Sequence, residues 1–310
     1  DRRGVMNLGI VHETLFSYTP PVTMAQHIAY LKPLDTATQS LVSHTLHVQP
    51  QPVDLSETQD VFGNVRSFFS LQAKHEALTV VATSVVSTHA TTAPQSAMPW
   101  EQVRDCFTYR AGAPYDAAVG FVFASPLAPR HQDFAAYARP SFGAGVPLLA
   151  AARDLMTRVH NDLRYEPAST DVDTPAQQAL SQRAGVCQDF AHIMIACLRA
   201  MGLPARYVSG YLLTQPPPGQ PRLIGSDASH AWASLYLPDL PQGPGWCDFD
   251  PTNDRFGTGA PGEDYVTLAI GRDYGDVAPL RGVIRGGASH TLEVRVTVEP
   301  IELKPLENPS

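Results

Sequence analysis

The sequence predicts an α+β protein: a β-sandwich-like N-terminal domain, then a core in which a buried helix packs on an antiparallel sheet. Three observations carry that expectation. Up to Ser87 the chain is built of short runs of β-branched and aromatic residues broken by Pro, Asn, Asp and Gly. At Pro147 the apolar period becomes helical. A further helical stretch from Cys187 is followed by three strand-like segments in succession, the order of an α+β fold rather than of alternating βα units.

The chain has 310 residues, roughly two domains' worth, and 44% of them are hydrophobic, which excludes a wholly disordered polymer. Only 17% are charged, against about 25% in ordinary globular chains, whereas 28 prolines and 22 glycines imply many turns between short elements. Lys and Arg number 22 against 30 Asp and Glu, a formal charge of −8. The positive charges are scattered, so no row of phosphates is matched and no nucleic-acid partner is expected. The same balance weighs mildly against strongly acidic substrates. No run approaches the ~18 apolar residues of a membrane span, and no secretory pattern opens the chain. A cytoplasmic protein off the membrane is expected. Asp1 to Val5 precede Met6 and read as an expression remnant. Cys106, Cys187, Cys197 and Cys247 form no CxxC pair, so neither a disulfide framework nor a zinc knuckle is suggested.

Within the β-rich domain, taken as 6–90, strands are expected at Leu41–Val48, Val65–Ala73 and Leu78–Val86, with a tight connection at the DVFGN of Asp60–Asn64. Residues 91–146 are rich in Ala, Pro and Gly and read as a connecting region with short helices. The core, 147–310, opens with a helical stripe of Leu148, Leu149, Ala152, Leu155, Met156, Val159 and Leu163. Thr174, Pro175 and Gln177 read as N-cap, first-turn proline and capping-box partner of a short helix to about Arg183. The next helix runs from Cys187 to Met201 and stops at Gly202, with Pro204 beyond. Strands at Arg206–Leu213, Ala228–Leu237 and Trp246–Asp250 are separated by the Pro-rich loop Gln215–Pro221 and by Pro238–Gly245. Late in the chain Leu292, Val294, Val296 and Val298 alternate with polar residues, a strand with one wet face.

Cys187 therefore heads a helix, where the partial positive charge of the first turn favours a thiolate; a buried core cysteine is the plain alternative. A nucleophile needs a base. His230 opens a strand on which His230, Trp232, Ser234 and Tyr236 share one face. His192 lies five residues after Cys187, roughly 140° around the helix, and reads as an interior histidine. A histidine base needs a third group to hold its tautomer, and Asp248 and Asp250 are both at hand on the next strand. If the two strands form a hairpin, His230 and Asp250 meet only when paired residue numbers sum to an even value such as 480 or 482. Asp250 precedes Pro251, where the sheet must end, so its carboxylate belongs at a rim.

GVCQDFAHIMIACLRAMGLPARYVSGYL from Gly185 to Leu212, SHAWASLYLP from Ser229 to Pro238, and GWCDFDPTN from Gly245 to Asn253 resemble the three core blocks of bacterial transglutaminase-like proteins. HETLFSY from His12, with DVFGN after it, is similar to the β-rich domain that precedes the core in that family. The likeness spans Met6 to Pro300. It implies a papain-like, transglutaminase-like core, with Cys187 as nucleophile, His230 as base and Asp250 as orienting carboxylate. It further implies a thioester formed by thiolate attack on an amide of a peptide or protein substrate. Water then gives hydrolysis or deamidation, and an amine gives cross-linking. Relatives of this bacterial type are described as cysteine proteases or peptidases, so hydrolysis is the expected outcome. A non-catalytic peptide-binding module is the competing class. No acidic EF-hand-like loop is present, so calcium is not carried over, and no cofactor or metal is expected.

An oxyanion needs two donors. The Cys187 backbone N–H is one, and Gln182 or Tyr165 is a candidate for the other. Asp189, in the first turn, reads as a structural acid. Tyr211, Trp232 and Trp246 are candidate walls of the acyl groove, with core packing as the alternative for each. Cys197 and Cys247 read as structural, and Cys106 has no evident partner. A metal site of Cys187, His192 and His230 fits no standard ligand spacing. The N-terminal domain is expected to form one rim of the cleft.

Overall fold

The computed structural model describes residues 4–112, 114–167, 174–214 and 229–302. The expected Pro-rich loop Gln215–Pro221, residues 1–3 and Ala228 lie outside the described residues. The elements in chain order are β1 (Val5–Ala29), β2 (Gln39–Gln49), β3 (Asp54–Gln59), β4 (Val65–Leu71) and β5 (His75–His89), then helices α1 (Trp100–Cys106), α2 (Gln132–Ala138) and α3 (Leu148–Asp162). Next come β6 (Arg164–Tyr165), α4 (Ala176–Gln182), β7 (Ala184–Gly185), α5 (Cys187–Ala200), β8 (Ala205–Leu212), β9 (Ser229–Leu237) and β10 (Gly245–Asp250). The chain finishes with β11 (Arg255–Thr258), β12 (Tyr265–Gly271), α6 (Tyr274–Val277), β13 (Leu280–Gly286) and β14 (Ser289–Pro300).

The N-terminal domain is one antiparallel sheet in the order β2-β5-β1-β4-β3, held together by the 25-residue β1. One edge of β1 pairs first with β5 and then with β4, and the register breaks between Ser17 and Val22, around Pro20 and Pro21, which have no N–H to give a ladder. The other edge pairs with β14 and β13. This corrects the assignment of the C-terminal strand to the core: its apolar face packs on the N-terminal sheet. Val296 and Val298 are buried in the cluster formed by Leu8, Ile10 and Val86, and alternation alone does not say which sheet supplies a partner. Val5, expected to lie in the remnant, opens β1 and pairs with His89.

In the core, β11-β10-β9-β8-β12 form a five-stranded antiparallel sheet, with α5 lying on β9 and β8 and with α2, α3 and α4 packed around it. Every side chain from Gln188 to Arg199 is buried, which is why this helix is apolar on nearly all sides. The predicted stripe of α3 is buried at Leu148, Ala152, Leu155, Met156 and Val159. The capping expected at Thr174 sits one residue later: Pro175 is the N-cap of α4, and the Gln177 amide donates to Asp133 (2.9 Å) instead of turning back on its own helix.

Two carboxamides lock the domains together through β12. Gln39 accepts the Thr267 N–H (2.8 Å) and donates to its carbonyl (2.7 Å), and Asn64 does the same for Ile270 (2.7 Å each). Each side chain stands in for a neighbouring strand. Asn64 is presented by the DVFGN turn, in which Asp60 accepts the N–H groups of Phe62 and Asn64 and Gly63 takes φ +85°.

Candidate active site

Two local devices fix the start of α5. Asp189 Oδ2 accepts the Val186 N–H (2.8 Å), closing the helix N-terminus. Gly185 lies so close to that carboxylate that a Cβ would sit 2.7 Å from Asp189 Cβ. Parallel pairing of β7 with β6 anchors the approach to the helix. Cys187 is thereby the first residue of α5, half-buried, with its N–H in the first turn, where no intrahelical acceptor is available.

β9 and β10 pair with residue numbers summing to 482, as in Gly245↔Leu237 and Phe249↔Ala233. That is one of the even-sum registers expected to bring His230 and Asp250 together. The contact is diagonal across the hairpin, His230 Nε2 donating to Asp250 Oδ2 at 2.7 Å. The next diagonal pair repeats it, with Trp232 Nε1 donating to Asp248 Oδ2 at 2.9 Å. Two aspartates on one strand face thus take different roles: Asp250 holds the histidine, and the buried Asp248 holds Trp232, with the charge of Arg206 nearby.

Asp250 is fully buried and well supplied with donors. Besides His230, Oδ2 accepts Tyr265 Oη and Asn253 Nδ2, each at 2.7 Å, and Oδ1 accepts the Thr252 N–H at 2.9 Å. Burial alone would raise this carboxyl, but the hydrogen bond and charge of His230, with Asn253 and Tyr265, hold it below the ordinary 3.8. For His230, burial works downward; hydrogen bonds and charge from Asp250 and Cys187 outweigh it and lift the ring from 6.5 to about 10. With Nε2 committed to Asp250, the other ring nitrogen, Nδ1, is the one left for the sulfur.

Cys187 and His230 open into one cavity of about 250 Å³. Its far wall comes from the N-terminal domain: His12, Thr14 and Phe16 of β1, with Leu292 and Val294 of β14. The expected rim is therefore a wall, and the C-terminal strand contributes to it.

The other anticipated residues are placed differently. Gln182 is exposed at the last turn of α4, away from the cavity lining, while Gln188 lines it. Tyr165 is 52% exposed and packs edge-on to Phe190. Partial burial and then the charge of Cys187 raise its hydroxyl, which marks it as a neighbour of the sulfur. Tyr211 and Trp232 are sealed in the interior, Tyr211 by His12 and Trp232 by Asp248 and Tyr265, so neither is a groove wall. Trp246 carries the Arg206 guanidinium on its face at 4.0 Å and lies outside this cavity. A strand face of aromatics reads the same from sequence whether it meets a cleft or a second sheet. His192 is buried and neutral, lowered by burial to about 4, and accepts the Tyr274 N–H at 3.1 Å. Burial raises Cys197 and Cys247, and Cys106 is exposed on α1. Tyr265 and Asn253 were missed. Asn253 was legible as a turn residue two positions after Pro251, whereas Tyr265 comes from an edge strand that no local signal links to the site.

Residues 135–251 match the model of the transglutaminase-like superfamily core, and residues 8–87 match that of the bacterial transglutaminase-like N-terminal region. The chain belongs to the bacterial transglutaminase-like family. An uncharacterized protein of Mycobacterium tuberculosis is 38% identical over 305 residues, covering 96% of this chain and 94% of its own. A protein-glutamine gamma-glutamyltransferase of Pseudomonas aeruginosa is 33% identical over 96 residues, 30% of this chain and 14% of that protein. A solved structure named "Putative Cysteine Protease from Cytophaga hutchinsonii" shares the fold, with a TM-score of 0.73 at 21% identity over 97% of this chain and 92% of that one. Membership of the transglutaminase-like family thus covers both halves of the molecule. Among the described residues no helix is long and apolar enough to cross a membrane.

Proposed function

We propose that this protein is a thiol-dependent amide hydrolase or acyltransferase acting on peptide or glutamine side-chain amides, with Cys187 as nucleophile, His230 as acid and base, and Asp250 as the orienting carboxylate. The observation that carries the reading is the 2.7 Å bond from His230 Nε2 to a buried carboxylate, on a ring that opens into the same cavity as Cys187.

The Cys187 thiolate attacks the amide carbonyl, a C–S bond forms, and the oxyanion takes the Cys187 N–H as one donor. Collapse breaks the C–N bond, and the leaving amine takes a proton from His230. Water then attacks the thioester carbonyl while His230 takes its proton, the C–S bond breaks, and the thiolate–imidazolium pair returns with a carboxylic acid as product. A primary amine in place of water gives a new amide. Asp250 holds the ring orientation throughout and stays ionised.

Hydrolysis is the favoured outcome, supported by the protease name of the Cytophaga structure; the glutamyltransferase name of the Pseudomonas relative supports amine transfer as the other outcome. Four free cysteines fit a reducing compartment, the cytoplasm. The test is to incubate wild type and Cys187→Ala with a peptide library, with and without a primary amine, following ammonia, new termini and amine incorporation. New termini or ammonia from the wild type alone, in the absence of added amine, support hydrolysis; with amine present, incorporation that matches the leaving amine released one for one makes the protein a cross-linking acyltransferase. Identical behaviour of the two proteins overturns the catalytic assignment.

A further inference from the structure

The HETLFSY segment of β1 does more than build the N-terminal sheet. His12, Thr14 and Phe16 alternate along one face, and β14 places Val296, Val294 and Leu292 directly opposite them. The result is a two-strand patch three rungs long whose depth is graded. His12 and Val296 are each 2% exposed, whereas Val294 and Leu292 stand 47% and 55% exposed at the mouth of the cavity that holds Cys187 and His230. Half of the apolar face of β14 is therefore exposed where it lines the cavity. No Asp, Glu, Lys or Arg lines that cavity among the described residues.

His12 adds a directional group. Its Nδ1 lies 3.0 Å from Tyr211 Oη, and burial lowers the ring to about 4, so it is neutral near pH 7. Burial raises the Tyr211 hydroxyl, which therefore keeps its proton, and that proton has no other acceptor among the described residues. Tyr211 consequently donates to Nδ1, and the ring carries its hydrogen on Nε2. Nε2 has no hydrogen-bond partner among the described residues, and it is the ring N–H left to donate on a residue that lines the cavity.

We infer that this strand pair is the substrate-recognition wall of the site: it takes an uncharged, apolar residue flanking the scissile amide, with a substrate carbonyl accepting from His12 Nε2. The inference rests on the catalytic reading of Cys187 but adds a substrate class to it. The probes are chloromethyl ketones of N-acetylated leucine, phenylalanine, glutamate and lysine, each alkylating a thiolate with loss of chloride, with rates expressed relative to iodoacetamide on the same protein. Leucine and phenylalanine probes are expected to label Cys187 at least about tenfold faster than the charged pair. Leu292→Glu, an exposed change on an intact strand, is expected to slow the leucine probe and speed the lysine probe. His12→Ala is expected to slow all four ketones relative to iodoacetamide. Equal relative rates for the four side chains, or a Leu292→Glu profile that matches wild type, overturn the wall. Failure of iodoacetamide itself to favour Cys187 overturns the catalytic reading instead, so the two failures are distinct.

Discussion

Replacing Asp250 by Asn tests how the imidazolium is held. The carboxylate is buried and accepts three short bonds on Oδ2, from His230, Tyr265 and Asn253, each at 2.7 Å. An amide cannot supply the charge, and its NH2 group must either face a donor or turn His230 to the wrong tautomer. His230 stands at about 10 because Asp250 and Cys187 outweigh a burial that works downward. Without the carboxylate, burial dominates and the midpoint falls by about two or more pH units. Loss of one partner of a buried pair also costs about 3–5 kcal/mol of stability. The assay is an NMR titration of 13C-labelled histidine, with His230 assigned by its absence in His230→Ala. In wild type the His230 ring should stay protonated through pH 8; in Asp250→Asn half of it or more should be neutral there. Superimposable titration curves would refute the claim that Asp250 sets the protonation of the ring.

Three further outcomes are expected. Gly185→Ala drives a Cβ to 2.7 Å from the Asp189 carboxylate that closes α5, and a loss of about 1–3 kcal/mol should be measured by urea unfolding. Asn64→Ala removes both bonds to Ile270, leaving a strand N–H and carbonyl unpaired, so destabilisation of about 1–3 kcal/mol should appear in the same assay. The His230–Asp250 pair also predicts a pH profile. His230 is raised from 6.5 to about 10, so its contribution is complete below pH 6.5 and is lost as pH climbs through about 10; Asp250 is lowered from 3.8, so its contribution is present above pH 3.8 and is lost as pH falls through its folded value. The stability gap between wild type and Asp250→Asn should be widest between those limits.

The hairpin shows what was readable in the sequence and what was not. Parity of strand pairing limited His230 and Asp250 to a few registers, because side chains alternate strictly; the choice of 482 then followed from the tertiary structure. Cys187 was legible because helix punctuation at Gly202 and Pro204 fixes one end of α5 and the apolar spacing fixes the rest. The cavity wall was not legible. Phe16 and Leu292 are 276 residues apart and meet only because β14 returns to β1, and a strand with one apolar face carries no mark of which sheet covers it. Trp232 misled for the same reason: its period marks a face, while Asp248 and Tyr265 decide that the face is closed. Tyr265 reaches Asp250 from β12, which pairs with β8 on the far side of β9, so its hydroxyl could be assigned only once the sheet order was known.

The convergence of thiol, imidazole and carboxylate is tested most directly by brief iodoacetamide labelling at pH 6, with the modified cysteine identified by peptide mapping in wild type and in His230→Ala. The account predicts that Cys187 takes nearly all of the label, ahead of the more exposed Cys106 and the buried Cys197 and Cys247, and that His230→Ala removes this preference. Labelling that follows exposure alone, with Cys106 first in both proteins, would contradict it.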